Sequence, residues 1–312
     1  MKICFITDDP FEIGGGPEHI RQVAKILCQK SRFTIDTVTP LTFNPRFNFK
    51  NFWERIKFTF WTIWFYLSSN YDFYHSHAFS TSMFLPLVKL RGKKIAVTIH
   101  GLGKELVGGK ILDKLKIGQT LMQLILKIWP FGIKFSASDL PGFITVGNGV
   151  DIKEFEQIKK SVHKGFNILC IARRDPAKGI EILEKAVKKV SGVKLNLVSG
   201  RPRTMKDFET ADCYVLPSLS EGLPIVLLEA MAARLPIIAT GVGQCRKIVE
   251  EAKCGFVVAP RDSKQLTQAI IAMKNSSKRD KMGENGFKFV KENFTWERVA
   301  AIYTSSYRRL NS

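Results

Sequence analysis

The chain has 312 residues, which is more than one ordinary domain needs and suits two domains of about 150 residues each. Apolar residues make up 45% and charged residues 24% of the sequence, values that exclude disordered, collagen-like and coiled-coil proteins. With 48 basic and 28 acidic residues the formal charge is +20, so the surface attracts anions such as nucleotides, nucleic acid or anionic lipid.

Short β-rich runs alternate with amphipathic helical stretches along the first half of the chain. The predicted strands are Lys2–Thr7, Thr34–Val38, Phe73–His75, Lys94–Ile99 and Gly142–Val146. The predicted helices are Glu18–Gln29, Phe52–Leu67, Thr81–Lys89 and Leu112–Lys127. Strands that alternate with helices of this length indicate βαβ units, and therefore a parallel sheet with helices packed on it.

The second half repeats the pattern. Its predicted strands are Asn167–Ile171, Lys194–Val198, Cys213–Leu216, Pro236–Thr240 and Phe256–Val258. Its predicted helices are Ile180–Lys189, Ile225–Ala233, Gln244–Glu251 and Ser263–Lys274. The fold class predicted is α/β, with two doubly wound Rossmann-like domains over residues 1–147 and 148–295. A last helix over 296–312 is predicted to open with Thr295 as its N-cap and Glu297 in its first turn.

Cysteine usage and the N-terminus predict a cytoplasmic protein. The six cysteines form no CxxC pair and no His-linked metal spacing, and Cys4, Cys170 and Cys213 lie in strand-like runs, as buried free thiols do. The apolar run after Lys2 is too short for a signal peptide, and no stretch reaches the ~18 apolar residues of a membrane span.

The most informative segment is PSLSEGLPIVLLEAMA, which starts at Pro217. A strand ends there, a polar glycine loop follows, and Pro224 stands where a helix begins, so the exposed amides of the helix start suit a diphosphate. Glu229 lies about 7.5 Å along the axis from the helix start. Glu221 and Glu229 can therefore reach hydroxyls on opposite sides of a diphosphate, which is the layout of a nucleotide sugar. The alternative is that Glu221 is a loop charge and Glu229 a solvated helix residue.

Other polar residues follow strands in the same way. Arg173 and Lys178 lie in the turn after a strand, where two cations balance a diphosphate, although both can also be ordinary surface charges. The glycines that follow the first strand, Gly14 to Gly16, either let backbone approach a phosphate or form a simple turn. His100 ends a strand at the carboxyl edge. His75 and His77 share one strand face, but no third ligand accompanies them, so we expect no metal site.

These motifs together resemble the retaining GT-B glycosyltransferases of family 4 (glycosyl transferases group 1). The two glutamates separated by seven residues resemble the family's signature, and ARRDPAKG from Ala172 resembles its GR…KG segment. Further matches in chain order are the glycine loop, His75-Ser-His77, Thr98-Ile-His-Gly101, the NGVD from Asn148 and the closing FTWE from Phe294.

The resemblance implies a nucleoside-diphosphate sugar donor of the UDP or GDP type, transfer with retention, no bound metal, and a last helix that returns to the first domain. It implies catalytic roles for Glu221, His100, Arg173 and Lys178. The donor-binding residues it implies are Gly15, Gly16, Arg173, Lys178, Gly200, Arg201, Glu221, Gly222, Leu223, Pro224 and Glu229. Glu221 is expected to bind the sugar, Glu229 the ribose, and the first domain the acceptor, a glycan or lipid hydroxyl.

The chain departs from the family in three places. The segment between His100 and Asn148 is compressed, with Phe135–Asp139 as a trace of the usual unit. One strand and helix are missing before Pro217, which puts Gly200-Arg201 at the loop that usually holds the base. Gly243-Gln244 and Lys247 replace the usual Gly-Gly and Glu, which we interpret as structural drift.

Aromatic and basic segments raise the question of a membrane partner. The run FTFWTIWFYL, from Phe58, is apolar on every face, which favours a buried helix over a membrane-contact surface. Between Lys89 and Lys134 there are ten basic residues against Glu105 and Asp113, which favours contact with an anionic membrane at its cytoplasmic face. The basic residues are dispersed and no recognition motif accompanies them, which argues against nucleic acid.

Two further classes of protein are compatible with the sequence. One is a degenerate relative that binds nucleotide sugars without turnover. The other is a basic adaptor for membrane or RNA, whose binding to polyanions would be tight and sensitive to salt.

Overall fold

The computed structural model describes residues 1–7, 15–31, 33–44, 52–77, 84–100, 132–137 and 142–309. Gly14, the predicted helix Leu112–Lys127 and most of the basic segment between Lys89 and Lys134 lie outside these ranges. The chain divides into two compact units: Met1–Gly147 with Val299–Ser312, and Asn148–Arg298.

The first unit is a parallel α/β sheet with helices packed on it. Its strands are β1 (Lys2–Ile6), β2 (Thr34–Val38), β3 (Phe73–Ser76), β4 (Lys94–Ile99), β5 (Ile133–Ser136) and β6 (Ile144–Thr145). Its helices are α1 (Gly15–Lys30), α2 (Pro40–Phe43), α3 (Phe52–Ser68) and α4 (Leu85–Leu90). The strands pair in parallel in the order β2-β1-β3-β4-β5-β6.

The middle strands of this sheet are buried on both faces, as parallel strands usually are. Helix α3 packs on the sheet through Tyr66, whose ring meets that of Tyr74 edge-on at 5.8 Å. The carboxyl ends of β3 and β4 bring His75, His77 and His100 to one edge of the sheet.

The second unit is also a parallel α/β sheet. Its strands are β7 (Phe166–Ile171), β8 (Val193–Val198), β9 (Cys213–Leu216), β10 (Ile237–Thr240) and β11 (Gly255–Val258). They pair in the order β11-β10-β9-β7-β8. Its helices are α5 (Ile152–Glu156), α6 (Ile180–Val187), α7 (Met205–Glu209), α8 (Ile225–Ala232), α9 (Cys245–Ala252), α10 (Ser263–Asn275) and α11 (Arg279–Asn293). Helix α12 (Trp296–Arg309) closes the chain, and its residues from Val299 onward belong to the first unit.

Helix α8 lies in the core of the second unit. All of its residues except Val226 are buried, because they are apolar on every side apart from Glu229. A helix that is held by the core in this way has a fixed N-terminus, and the loop 217–224 connects it to strand β9.

The predicted α/β class is confirmed, with two parallel sheets, but three local predictions differ. Strand β5 is not among the strands that the sequence predicts. The strand predicted over Gly142–Val146 contains only Ile144–Thr145, because β6 is an edge strand and Gly142 has φ +80°. The prediction that the run FTFWTIWFYL forms a fully buried helix is wrong. Phe60 is 68% and Trp64 61% exposed, since α3 packs by one face only.

Candidate functional site

Two loops of the second unit meet where β7 and β9 end. Gly179 follows a short 3-10 turn, Pro176–Lys178, at φ +63°, and a Cβ there would lie 2.1 Å from the carbonyl oxygen of Pro217. Only glycine permits this approach. The Leu219 amide donates to the Ala177 carbonyl at 2.7 Å, so backbone contacts on both sides hold the two loops together.

This junction brings Lys178 and Glu221 into contact. Lys178 Nζ lies 2.8 Å from Glu221 Oε1, and the same oxygen accepts a hydrogen bond of 2.7 Å from Ser218 Oγ. The Glu221 side chain is 11% and the Lys178 side chain 27% exposed, so the pair remains partly accessible to solvent. Sequence reasoning predicted both residues but not their direct contact.

The loop that carries Glu221 is fixed from two further directions. Gly243 has φ +51°, and a Cβ there would lie 2.2 Å from the Glu221 carbonyl oxygen, while the Gln244 amide donates to the Gly222 carbonyl at 3.0 Å. Buried Asn148 donates from Nδ2 to the Leu223 carbonyl at 2.6 Å. Gly243 and the backbone amide of Gln244, at positions that the sequence suggests have drifted, therefore hold the loop 217–224 in place.

The start of α8 and the loop after β7 present positive charge. Pro224 is the N-cap of α8 in an extended conformation, and it has no side-chain group to cap the helix amides. The amide end of the helix dipole therefore favours an anion. Arg173 is exposed, and its guanidinium has no bonded partner among the residues that the structure describes. Its neighbour Arg174 pairs with Glu184 at 3.3 Å.

Glu229 is held by an arginine that the sequence did not single out. Arg203 donates to Glu229 Oε1 from Nε at 3.1 Å and from Nη2 at 2.8 Å, and it forms a two-point pair with Glu154 at 2.6 and 3.0 Å. Burial opposes charge on Arg203, but the hydrogen bonds to Glu154 and Glu229 hold its pKa above the ordinary arginine value. Glu229 is only 8% exposed, so it is not a solvated helix residue.

The rings of Phe155 and Phe208 support the same guanidinium. Its central carbon lies 5.3 Å from the centroid of Phe155 and 5.7 Å from that of Phe208. These contacts, with the two carboxylates, fix Arg203 in one place.

Gly200 and Arg201 lie in the same loop as Arg203, but they have different surroundings. Gly200 has φ +75° and open space where a Cβ would stand. Arg201 makes a two-point pair with Asp207 at 2.7 and 2.9 Å. Asp207 also caps α7 at Thr204, and the bond from Arg201 is the main cause that lowers the pKa of the Asp207 carboxyl.

The first unit contains a separate cluster of histidines at the carboxyl ends of its strands. His77 Nδ1 lies 3.1 Å from His100 Nε2, and His75 Nε2 lies 2.7 Å from Thr98 Oγ1. His19, in the first turn of α1, stacks edge-on against His100 with ring centroids 4.6 Å apart. Two tyrosines of α12 complete the cluster: Tyr303 bonds His19 and Thr98, and Tyr307 bonds His75.

Burial favours the neutral form of three of these rings. It is the largest cause that lowers the pKa of His75, His77 and His100, and the neighbouring imidazoles lower it further. The Nε2 atom of His77 is buried and has no hydrogen-bond partner among the described residues. Gly16 lies beside this cluster, since a Cβ there would stand 3.9 Å from His100 Cγ. Gly15 is exposed at the start of α1.

The predicted residues thus fall into two groups. Arg173, Lys178, Glu221, the start of α8 and Glu229 occupy the carboxyl end of the second sheet, whereas Gly15, Gly16 and His100 belong to the first unit. Over the described ranges, no three metal-binding side chains come together in a geometry that would hold an ion. Within the same ranges, no helix is both long and apolar enough to cross a membrane.

Comparison with known proteins finds a family match within the second unit. Residues 198–289 match the family Glycosyl transferases group 1. A probable sucrose-phosphate synthase of Thermosipho melanesiensis is 28% identical over 191 residues, 57% of this chain and 43% of that protein. A lipopolysaccharide core biosynthesis mannosyltransferase, LpcC, of Rhizobium leguminosarum bv. viciae is 35% identical over 98 residues, 31% of this chain and 28% of that protein. The matched stretches therefore span less than half of either relative.

Solved structures match the whole fold. Sucrose-phosphate synthase from Thermosynechococcus elongatus superposes with a TM-score of 0.76 at 20% identity, over 99% of both chains. Anabaena Alr3699/HepE in complex with UDP-glucose gives a TM-score of 0.73 at 14% identity, over 99% of this chain and 100% of that one. At these identities the likeness establishes the fold, which is of the GT-B glycosyltransferase type.

Proposed function

We propose that the protein is a retaining glycosyltransferase that moves a sugar from a nucleoside-diphosphate sugar to an acceptor hydroxyl. The observation that carries this proposal is the Lys178–Glu221 pair before the start of α8, 2.8 Å apart and still partly exposed to solvent. A cation beside a helix N-terminus suits a diphosphate, and a carboxylate next to it suits the hydroxyls of the attached sugar.

Each side chain has a defined part in the proposed reaction. Lys178, Arg173 and the amides of α8 bind the diphosphate, and Glu221 orients the sugar. The bond from the anomeric carbon to the phosphate oxygen breaks while the acceptor oxygen bonds to the same face of that carbon. The departing phosphate oxygen takes the acceptor's proton. The cations stabilise the negative charge that develops on the phosphate as it leaves, and no metal takes part.

The ribose is proposed to bind at Glu229. Because Arg203 holds Oε1 from two of its nitrogens, the carboxylate is fixed in one orientation. A carboxylate fixed in this way accepts hydrogen bonds from vicinal hydroxyls without losing side-chain entropy on binding.

Donor and acceptor are proposed at the level of chemical class. A donor of the UDP or GDP type is favoured by the family resemblance, and HepE with its bound UDP-glucose supports the UDP form. LpcC, named for lipopolysaccharide core biosynthesis, supports a lipid or cell-surface polysaccharide acceptor of this chain. A cytoplasmic enzyme that works at the inner face of the membrane fits both.

The test is calorimetric titration with UDP, GDP, ADP and TDP, and with the corresponding monophosphates. Arg173→Ala is the cleanest variant, because this guanidinium has no partner among the described residues. We expect it to weaken diphosphate binding by about 1.5–3 kcal/mol and monophosphate binding less. Lys153→Ala, an exposed cation of α5, is the matched control. Unchanged diphosphate affinity in Arg173→Ala and Lys178→Ala would contradict the assignment.

A further inference from the structure

Helix α3 has a face of aromatic side chains that points away from its own core. Phe58, Thr62 and Tyr66 are buried against the first unit. On the opposite side Phe60 is 68%, Trp64 61% and Leu67 50% exposed, and Trp53 is exposed on the same line. Positions 60, 64 and 67 are four and three residues apart and therefore share one face of the helix.

Cations lie near both ends of this face. Lys57 stands one turn before Phe60 on the same line, with its side chain 65% exposed beside Glu54. At the other end of α3, Arg91 donates to the carbonyls of Tyr66 and Ser69 at 2.6 and 3.1 Å, which brings the end of α4 next to it. Between Leu85 and Lys94 the chain has four basic residues and no acidic one, and Leu90 among them is 86% exposed.

We propose that the outer face of α3, defined by Lys57, Phe60, Trp64 and Leu67, docks into the interfacial region of an anionic lipid bilayer. The inference is independent of the chemistry proposed for the second unit. Tryptophan and phenylalanine on one side of a helix, with lysine and arginine beside them, have the composition of helices that lie in the plane of a membrane interface.

The shape of the face favours lipid over a protein partner. From Lys57 to Leu67 it is about 15 Å long and one side chain wide. A stable protein interface needs about 800 Å² on each partner, which a single row of side chains does not supply. A row of this kind inserts into a bilayer surface, where headgroup phosphates meet the flanking cations.

The experiment is co-sedimentation of the full chain with vesicles of phosphatidylcholine, with and without phosphatidylglycerol. Wild-type protein should bind the anionic vesicles, bind less as salt rises, and leave neutral vesicles largely unbound. The double variant Phe60→Gln/Trp64→Gln should lower the partition coefficient at least tenfold. Ile271→Gln, a matched change at an exposed apolar residue of α10 in the second unit, should leave it unchanged.

Two charge-reversal variants distinguish docking through α3 from general attraction of a basic protein to an anionic surface. Lys57→Glu should weaken binding to anionic vesicles more than Lys247→Glu, which makes the same charge change on the second unit. Melting curves identify any variant that fails to fold, and shielding of tryptophan from iodide on vesicle binding provides a second readout in the wild type. The proposal would be overturned if the double variant and the wild type sedimented equally with anionic vesicles. It would also be overturned if the wild type formed a dimer and did not bind vesicles, while the double variant was a monomer.

Discussion

Glu221 and Glu229 differ in what holds them, which predicts different effects of removing their charge. Glu229 is fixed by Arg203 and assigned to ribose, which free nucleotide and nucleotide sugar both contain. Glu229→Gln should therefore raise the dissociation constant of free nucleoside diphosphate by about 10- to 100-fold. Glu221→Gln should change that constant by less than about threefold, because free nucleotide lacks the sugar. Parallel effects on nucleotide affinity in calorimetry would refute the division of roles.

Arg203 is predicted to act through Glu229. Arg203→Met should keep the aliphatic packing near Phe155 and Phe208 but release the carboxylate. We expect nucleotide affinity to fall about tenfold, and the maximal rate at saturating donor to change little, because the residue positions a binding group. Lys291→Met is the control, since Lys291 also pairs with a glutamate of α5, Glu156, at 3.0 Å. A large fall in maximal rate with unchanged affinity would contradict this role.

For single residues of the candidate site, the sequence identified most of the charged side chains but not which of them pair with each other. Glu221, Lys178 and Glu229 were expected because the segments that contain them resemble the family's motifs. Arg203 was not, because the loop GRPR contains two arginines, of which the sequence favoured Arg201, and only the path of the loop decides which of them faces Glu229. In the structure, Arg201 pairs with Asp207 and Arg203 pairs with Glu229.

Among the elements, the turn from β7 into α6 depends on Gly179. Alanine there would have to adopt φ +63° and place its Cβ 2.1 Å from the Pro217 carbonyl oxygen. Gly179→Ala should lower the free energy of unfolding by at least about 2 kcal/mol, measured by urea denaturation. Gly200→Ala, at φ +75° with open space around the Cβ, should cost only about 1 kcal/mol of backbone strain. An equal decrease in the free energy of unfolding for both variants would show that the close packing of the two loops does not contribute to stability.

The ends of helices could be predicted from the sequence where a capping side chain sets them. The helix predicted over Ser263–Lys274 is α10, Ser263–Asn275, because the Asp262 carboxylate caps it through the amides of Lys264 and Gln265. Thr295 is confirmed as the cap of α12, since its Oγ1 accepts from the Arg298 amide at 3.3 Å. The exposed face of α3 could not be predicted, because the sequence FTFWTIWFYL is apolar in every direction. Which side it buries depends on the sheet beside it.

At the scale of the whole first unit, the buried histidines predict a dependence of stability on pH. The folded-state pKa values of His75, His77 and His100 lie below the ordinary imidazole value. The unfolded chain therefore binds more protons once the pH falls below about 6.5, and stability is lost in that direction. Each ring contributes a slope of up to about 1.4 kcal/mol per pH unit below that point.

His77→Phe is the variant that measures this effect. It removes a group whose Nε2 has no partner among the described residues and keeps an aromatic ring beside Phe5. Urea midpoints measured between about pH 7.5 and 5 should fall less steeply with acid in His77→Phe than in the wild type. Identical slopes would contradict the neutral, buried state assigned to this ring.

The most direct test of the central claim is transfer of labelled sugar from nucleotide sugars to a panel of lipid and glycan acceptors, with release of nucleoside diphosphate measured alongside. We predict that the wild type transfers label and releases diphosphate in equal amounts. Glu221→Gln should do so at least about a hundredfold more slowly, because it loses a contact that matters in the transition state. Nucleotide binding without release from any donor, or equal transfer by wild type and Glu221→Gln, would contradict the account.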